Sequence, residues 1–174
     1  TMAINHLSLT GKIALITGAS SGLGKQFALS MAEAGATVVI AARRMERLQA
    51  LAADIENKGG RAMPVALDVT DNNNIEAVLD AVESQLGCVD VLVNNAGIVV
   101  VADVEKTTVE DWRKVHSVGT DGTFFGIQQA IGAMRKTGGG SIINMSSLAG
   151  MTGYPLIFAY SASKGAIRSM TKSA

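Results

Sequence analysis

The sequence predicts an α/β fold built on a doubly wound parallel sheet. Two observations support this prediction: short apolar runs alternate with longer stretches of helical periodicity, and a glycine-rich turn separates the first run from the first such stretch. Strands that are buried on both faces read as unbroken apolar runs, and right-handed crossovers then place helices on both sides of one sheet. We therefore expect a Rossmann-like architecture.

The first elements show the pattern most clearly. Residues 13–17 form an apolar run that ends at Gly18, and Phe27, Met31 and Ala34 recur at helical spacing before Gly35 closes the helix. Residues 37–41 repeat the strand signal, and residues 45–58 carry Leu and Ile on one face, as an amphipathic helix does. By the same criteria, further strands are predicted at 62–67, 89–93 and 141–145, and further helices at 74–86, 109–134 and 158–174.

Two features of the second half stand out. The helix predicted at 109–134 contains Gly119, Gly122 and Gly126, which weaken its middle. The last helix is still running at Ala174, and no strand follows to cover the outer edge of the fifth strand. We expect a single dinucleotide-binding and catalytic domain over residues 1–174, truncated after this helix, so that the C-terminal part of the fold is missing from the chain.

Composition excludes several classes of protein. Fifteen basic and 15 acidic residues balance without long runs of either sign, which argues against a nucleic-acid-binding face. The only cysteine, Cys88, cannot form an intramolecular disulfide and suits a reducing compartment. Residues 1–5 lack the pattern of a secretory signal, and no apolar stretch is long enough to span a membrane. We therefore expect a cytoplasmic protein. No cluster has metal-ligand spacing.

The turn after the first strand has the pattern of a phosphate-binding loop. It reads Thr-Gly-Ala-Ser-Ser-Gly-Leu-Gly over residues 17–24. Gly18 permits a tight turn, Gly22 allows the backbone to approach a pyrophosphate, and Gly24 allows close packing of helix on strand. Free N–H groups and the helix dipole favour an anion at the start of the following helix. The candidate cofactor-binding residues here are Gly18, Ser20, Ser21, Gly22, Leu23 and Gly24.

The residues after the second strand indicate which dinucleotide binds. An acidic side chain there would accept hydrogen bonds from the ribose hydroxyls of NAD, whereas an arginine would pair with the extra phosphate of NADP. The sequence has Ala-Ala-Arg-Arg at residues 41–44 and no acid. Arg43 therefore favours NADP(H) over NAD(H), the alternative being two solvated arginines at a helix start.

A third pattern lies in the last helix. Tyr160 and Lys164 are four residues apart, so their polar ends can converge on one helix face. A tyrosine needs a neighbouring positive charge to act as an acid or base near neutral pH. Ser146 and Ser147 follow the fifth strand at the carboxyl edge of the sheet, where ligands of open α/β folds bind.

Together these motifs resemble the short-chain dehydrogenase/reductase family. The glycine motif, the Asn-Asn-Ala-Gly at residues 94–97, the serine after the fifth strand and Tyr-x-x-x-Lys occur in the family's order and span the whole chain. Residues 112–172 resemble bacterial secondary-alcohol and hydroxysteroid dehydrogenases. The N-terminal half is equally similar to 3-oxoacyl-carrier-protein reductases.

The resemblance implies roles for individual residues. Tyr160 would be the proton donor or acceptor, Lys164 would stabilise its phenolate and hold the nicotinamide ribose, and Ser147 would bind the substrate oxygen. Ser147 is preferred to Ser146 because it lies thirteen residues before Tyr160, as in the family pattern. The remaining implied cofactor contacts are Asp68 and Val69 at the adenine, and Asn95, Ala96 and Gly97 at the cofactor floor.

The same resemblance implies an NAD(P)-dependent alcohol dehydrogenase or ketoreductase that forms a homotetramer. Apolar residues around the expected pocket favour a small hydrophobic carbonyl or alcohol substrate; they are Ile98, Val99, Leu148, Met151, Tyr154 and Phe158. His116 is more consistent with a structural than with a catalytic histidine.

One position departs from the family pattern. Where the family has a catalytic asparagine, between a valine and a later glycine, this chain has Gly119. A glycine cannot supply the side chain that supports a proton-relay water. If the missing asparagine side chain is a defect, we expect Gly119→Asn to raise turnover. Gly119 and the truncated end leave open a non-catalytic nucleotide-binding protein, and a family epimerase or dehydratase is a second alternative.

Overall fold

The computed structural model describes residues 8–174, and the expectations for residues 1–5 lie outside this range. Five parallel strands form one sheet in the order β3-β2-β1-β4-β5. The strands are β1 (Ile13–Thr17), β2 (Thr37–Ala42), β3 (Arg61–Ala66), β4 (Val91–Asn94) and β5 (Ser141–Asn144). The doubly wound α/β architecture predicted from the sequence is confirmed.

Helices follow each strand of the sheet. They are α1 (Gly22–Glu33), α2 (Met45–Asn57), α3 (Asn72–Gln85), α4 (Val109–His116), α5 (Gly122–Lys136), α6 (Ala149–Thr152) and α7 (Phe158–Ser173). A 3₁₀ turn at Val104–Lys106 precedes α4, and a π-helical segment at Ser117–Asp121 joins α4 to α5. Within residues 8–174 none of these helices has the length and apolarity needed to cross a membrane.

The sheet separates two apolar cores, and alternate residues of each strand supply them. In β1, Ala14 and Ile16 pack on the side of α1 and α2, whereas Leu15 packs on the side of α3 and α5. Neighbouring β2 alternates in the same way, with Val38 on the first side and Val39 on the second. All of these residues are buried, which explains why the strands read as continuous apolar runs rather than alternating ones.

The helix predicted at 109–134 is present and ends two residues later, but it is not α-helical throughout. The segment is α-helical at both ends but widens into the π-helical segment at Ser117–Asp121. Helix α5 then lies close to the loop that follows β3, because a Cβ built on Gly122 would lie 2.9 Å from a methyl group of Val69. The predicted strands differ from the observed ones by one or two residues at their ends. The sequence analysis did not predict the 3₁₀ turn or α6.

Strand order determines where a site can form. The chain passes from β1 to β2 and β3 on one side and then returns to β4 on the other side of β1. This reversal opens a crevice between the carboxyl ends of β1 and β4, where doubly wound folds bind ligands. The pairing of Ile16 with Val93 and of Asn94 with Asn144 brings the glycine motif, Asn95 and Ser146 to this edge.

Candidate active site and cofactor cleft

A cleft of about 380 Å³ lies at the carboxyl edge of β1, β2 and β4. Its lining residues come from five separate parts of the sequence, which the strand order brings together. Its lining includes Gly18, Ser20, Ser21, Leu23, Arg43, Arg44, Asp68, Val69, Asn95, Ala96 and Gly97. Of the predicted cofactor residues, Gly22 and Gly24 do not line the cleft, nor do Tyr160 and Lys164, which line the neighbouring cavity described below.

The glycine motif has the backbone geometry that its sequence predicts. Gly18 and Gly22 have left-handed φ angles of 68° and 56°, a conformation that costs glycine little. A Cβ on Gly24 would lie 2.6 Å from the Asn95 amide nitrogen, so only glycine permits this contact between α1 and the end of β4. Ser21 makes no side-chain cap at α1, which leaves the first N–H groups of the helix available. This cradle fits the pyrophosphate of a dinucleotide.

Arg44 is a functional candidate that the sequence analysis did not assign. Its guanidinium donates hydrogen bonds to the hydroxyl oxygens of Ser20, at 2.8 Å, and Ser21, at 3.2 Å. Both hydroxyls accept these bonds and therefore keep their own protons for an anion. Arg44 thus places a positive charge beside two hydroxyl donors on the rim of the cleft. The sequence signal was present, since Arg44 adjoins Arg43, but proximity to the glycine loop required the structure.

Arg43 lies at another part of the same rim, close enough to Asp68 to affect its ionisation. The backbone N–H of Thr70 donates a hydrogen bond of 3.0 Å to the Asp68 carboxylate, and the Thr70 hydroxyl donates one of 2.8 Å. These bonds, together with the Arg43 charge, hold the pKa of Asp68 below its usual value despite partial burial. Asp68 is therefore an ionised acceptor, and Val69 beside it is buried.

Asn95 has a structural role that its motif alone did not reveal. Its side-chain amide donates to the carbonyl oxygens of Thr17, at 2.9 Å, and Gly18, at 3.4 Å. In return, the Thr17 hydroxyl accepts from the backbone N–H groups of Asn95, at 3.0 Å, and Ala96, at 3.1 Å. These bonds hold the end of β4 against the glycine loop. Asn95 thus shapes the cleft through the loop, while Gly97 is exposed.

A second cavity of about 370 Å³ adjoins the first and shares Leu23, Asn95, Gly97 and Ile98 with it. Val99, Met145, Ser146, Tyr160 and Lys164 complete its lining. Tyr160 is half-buried, and the Lys164 ammonium lies 5.6 Å from the centre of its ring. The predicted pair of side chains on α7 therefore meets in one cavity, next to the cofactor cleft. Leu148, Met151, Tyr154 and Phe158 lie exposed outside this cavity.

Lys164 is held in place from β5. Only 4% of its surface is exposed, and its ammonium donates a hydrogen bond of 2.6 Å to the carbonyl oxygen of Met145. Burial lowers the pKa of this ammonium below its usual value. The ammonium nitrogen also lies 3.5 Å from where a Cβ on Gly97 would be, so it sits at the junction of the two cavities.

The two serines after β5 have different surroundings. The Ser146 hydroxyl donates a hydrogen bond of 2.7 Å to the backbone carbonyl of Lys164. The Ser147 hydroxyl accepts a bond of 3.2 Å from the backbone N–H of Ala149, which leaves its proton free to bind a substrate oxygen. Ser146 rather than Ser147 lines the second cavity, so the preference for Ser147 rests on its available donor and on the family pattern.

Comparison with known proteins agrees with this geometry. The family profile described as short chain dehydrogenase matches residues 12–174. The chain is 44% identical over 174 residues to an NADP-dependent (R)-specific alcohol dehydrogenase of Lentilactobacillus kefiri, covering 95% of this chain and 66% of that protein. It is 41% identical over 166 residues to a 3-oxoacyl-[acyl-carrier-protein] reductase of Thermotoga maritima, covering 95% and 68%.

A solved structure with similar sequence has the same fold. A gluconate 5-dehydrogenase from Burkholderia cenocepacia, determined in complex with NADP and tartrate, superimposes with a TM-score of 0.92 at 37% identity. The match covers 96% of this chain and 66% of that one. The chain therefore belongs to the short-chain dehydrogenase/reductase family, as the sequence motifs indicated. It spans about two thirds of the length of the relatives it matches.

Proposed function

We propose that the protein is an NADP(H)-dependent oxidoreductase that interconverts a hydrophobic ketone and a secondary alcohol. The observation that carries the proposal is the junction of the two cavities at Lys164. There, the cleft built on the glycine motif meets the cavity that contains Tyr160. When bound, the nicotinamide would supply or accept the hydride, and the protein supplies position and charge.

Three side chains divide the remaining chemistry. In the reductive direction, the Ser147 hydroxyl donates a hydrogen bond to the carbonyl oxygen and holds it beside Tyr160. The Tyr160 hydroxyl gives its proton to that oxygen as negative charge develops there. The Lys164 ammonium lies near the tyrosine ring and stabilises the phenolate that remains. Oxidation of the alcohol reverses each of these proton movements.

The choice of NADP(H) is supported by the charge at the end of β2. Arg43 and Arg44 both line the cofactor cleft, and Ser20 and Ser21 add hydroxyl donors next to Arg44. Guanidinium groups bind phosphate through charge-assisted hydrogen bonds. The name of the relative from Lentilactobacillus kefiri also specifies NADP dependence.

The choice of a hydrophobic substrate is supported by the second cavity. Ile98 and Val99 line this cavity together with Tyr160, and Val99 is half exposed. Outside the cavity, Leu148, Met151, Tyr154 and Phe158 add exposed apolar surface.

The experiment is an absorbance assay of NADPH consumption by the complete protein with a panel of aryl, cyclic and aliphatic ketones. We expect turnover of at least one ketone, and in the reverse direction NADPH formation from the matching alcohol. Tight NADPH binding without turnover of any compound would favour a non-catalytic nucleotide-binding protein. An isomerised or dehydrated product without net NADPH consumption would instead favour an epimerase or dehydratase.

A further inference from the structure

A chain of three polar side chains connects the α4–α5 segment to α7. Nδ1 of His116 lies 3.0 Å from the Thr120 hydroxyl, which donates a hydrogen bond of 3.1 Å to the hydroxyl of Ser163. Ser163 directly precedes Lys164 on α7. We propose that Thr120 and Ser163 form a lock that positions α7, taking the place of the side chain that Gly119 lacks. The proposed oxidoreductase function underlies this inference.

The first argument is the use of space. Gly119 is buried, and a Cβ built on it would overlap the hydroxyl oxygen of Ser163. Ser163 is itself only 1% exposed, so its hydroxyl has no solvent to rotate into. The φ angle of Gly119 is not left-handed, which means that backbone conformation does not require glycine here. The Ser163 hydroxyl therefore occupies the volume that a side chain at residue 119 would need.

The second argument is the direction of the hydrogen bonds. A hydroxyl has one proton, so Thr120 cannot donate to both Ser163 and His116. With Thr120 donating to Ser163, the His116 ring must carry its proton on Nδ1 and donate to Thr120. Nε2 is then a bare acceptor, and among residues 8–174 this buried atom has no hydrogen-bond partner. Burial also lowers the pKa of His116, which favours the neutral ring that this arrangement needs.

The third argument is the local backbone. His116 ends α4, and Thr120 lies inside the π-helical segment at Ser117–Asp121. Such insertions occur frequently at functional sites, since they redirect side chains that a regular helix would orient elsewhere. Here the segment presents Thr120 to a residue 43 positions later in the chain.

The fourth argument is what the lock adjoins. Tyr160 lies one turn before Ser163 on α7, and Lys164 lies one residue after it. At the start of α7, Phe158 packs against Trp112, which also stacks on His116 at a ring distance of 4.1 Å. On its other side, α7 is fixed by the bond from Ser146 to Lys164. Loss of the lock would therefore free the turn that carries both proposed catalytic side chains.

The test compares Thr120→Val, which removes the hydroxyl but keeps the branched shape, with Thr120→Ser, which restores it. Thr123→Val is the matched control, because Thr123 is a buried threonine in the next turn that lies outside the chain of bonds. In the complete protein, we expect Thr120→Val to lower kcat roughly tenfold, as slight misplacement of catalytic groups does. The KM for NADPH should change less than kcat, because Lys164 is only one of the proposed cofactor contacts. Thr120→Ser should restore kcat, and Thr123→Val should match the parent.

Hydrogen exchange of the α7 amides provides a readout that does not depend on turnover. Thr120→Val and Ser163→Ala should each accelerate exchange in residues 160–165, whereas Thr123→Val should not. If the parent reduces no ketone, the proposed function fails, and exchange still decides the inference. Parent-like exchange and kcat in folded Thr120→Val protein, or equal effects of Thr120→Val and Thr123→Val, would overturn the lock.

Discussion

The hydroxyl of Ser146 donates a hydrogen bond of 2.7 Å to the backbone carbonyl of Lys164, while the Lys164 ammonium donates one of 2.6 Å to Met145. Two reciprocal bonds thus join the end of β5 to the middle of α7. A Cβ on Gly150 would lie 2.5 Å from the Lys164 carbonyl carbon, so α6 also approaches α7 closely. Lys164 is positioned by its main chain as well as by its side chain.

This relationship separates the roles of the two serines. Ser146→Ala should lower the free energy of unfolding by about 1 kcal/mol, the net contribution of one hydrogen bond. Ser147→Ala removes only the longer bond of 3.2 Å from the Ala149 N–H, so it should cost less stability, but it should lower kcat by roughly 100-fold or more, as loss of a donor to a developing oxyanion does. Urea unfolding and steady-state kinetics measure the two effects. The opposite pattern, with the larger kcat loss in Ser146→Ala, would reassign the substrate contact to Ser146.

The proposed acid/base role of Tyr160 predicts the effect of Tyr160→Phe. The ring keeps its place near Lys164, so NADPH should bind as in the parent. Turnover should fall by at least roughly 100-fold, the lower range for loss of a general acid. Tyr154→Phe is the matched control, since Tyr154 is 53% exposed and lies outside the cavity. Turnover of Tyr160→Phe within a factor of a few of the parent would show that Tyr160 is only structural.

The two arginines after β2 should determine the choice of cofactor. We expect the parent to bind NADPH more tightly than NADH. Arg43→Ala and Arg44→Ala should each weaken NADPH binding by about 1.5–3 kcal/mol, the contribution of a charge-assisted hydrogen bond, and leave NADH binding nearly unchanged. Arg47→Ala controls for loss of charge, because Arg47 is exposed on α2 outside the cleft. Titration calorimetry gives the dissociation constants, and equal values for NADPH and NADH in the parent would refute the assignment.

The structure changes the expectation for Gly119→Asn. An asparagine there would displace the Ser163 hydroxyl and break its bond with Thr120. We therefore expect a loss of about 1–3 kcal/mol in unfolding free energy, typical of overpacking, and no gain in turnover. Ser163→Ala in the same chain should recover much of that stability by removing the overlap.

Gly132→Asn is the control for Gly119→Asn, because Gly132 lies in α5 with open space around it. That substitution should be neutral or slightly stabilising, since asparagine suits a helix better than glycine. Urea unfolding of these three variants and the parent measures the differences in unfolding free energy. A Gly119→Asn protein as stable as the parent, or one that turns over faster, would show that the Ser163 hydroxyl moves aside without cost.

His116 predicts a pH dependence of stability. Burial lowers its pKa below the usual 6.5, while the charge of Asp121 opposes this shift. At a pH between the pKa of His116 in the folded state and its pKa in the unfolded state, the unfolded chain binds more protons. The free energy of unfolding therefore decreases as the pH falls below about 6.5. In His116→Phe, which keeps a ring beside Trp112, this loss should be absent. Urea unfolding between about pH 5 and pH 8 compares the two proteins. The same dependence of unfolding free energy on pH in both would contradict the prediction.

The sequence was sufficient for the architecture and for most of the candidate site. The apolar runs of β1 and β2 read correctly because strands buried on both faces tolerate almost no polar residue. Gly18 and Gly22 were recognisable because few residues other than glycine adopt their backbone angles. Helical periodicity put Tyr160 and Lys164 on one face, whereas their proposed roles came from the resemblance to the family.

Only the tertiary structure decided how residues distant in sequence share the remaining space and hydrogen bonds. The bond from Arg44 to Ser20 spans 24 residues, and the bond from Thr120 to Ser163 spans 43. The predicted helix does run through Gly119, but its π-helical segment was not predicted, because helical periodicity describes one segment and not the helix packed against it. Local patterns determine which way a side chain points along its own element. What that side chain meets depends on the packing of whole elements, which no single stretch of sequence encodes.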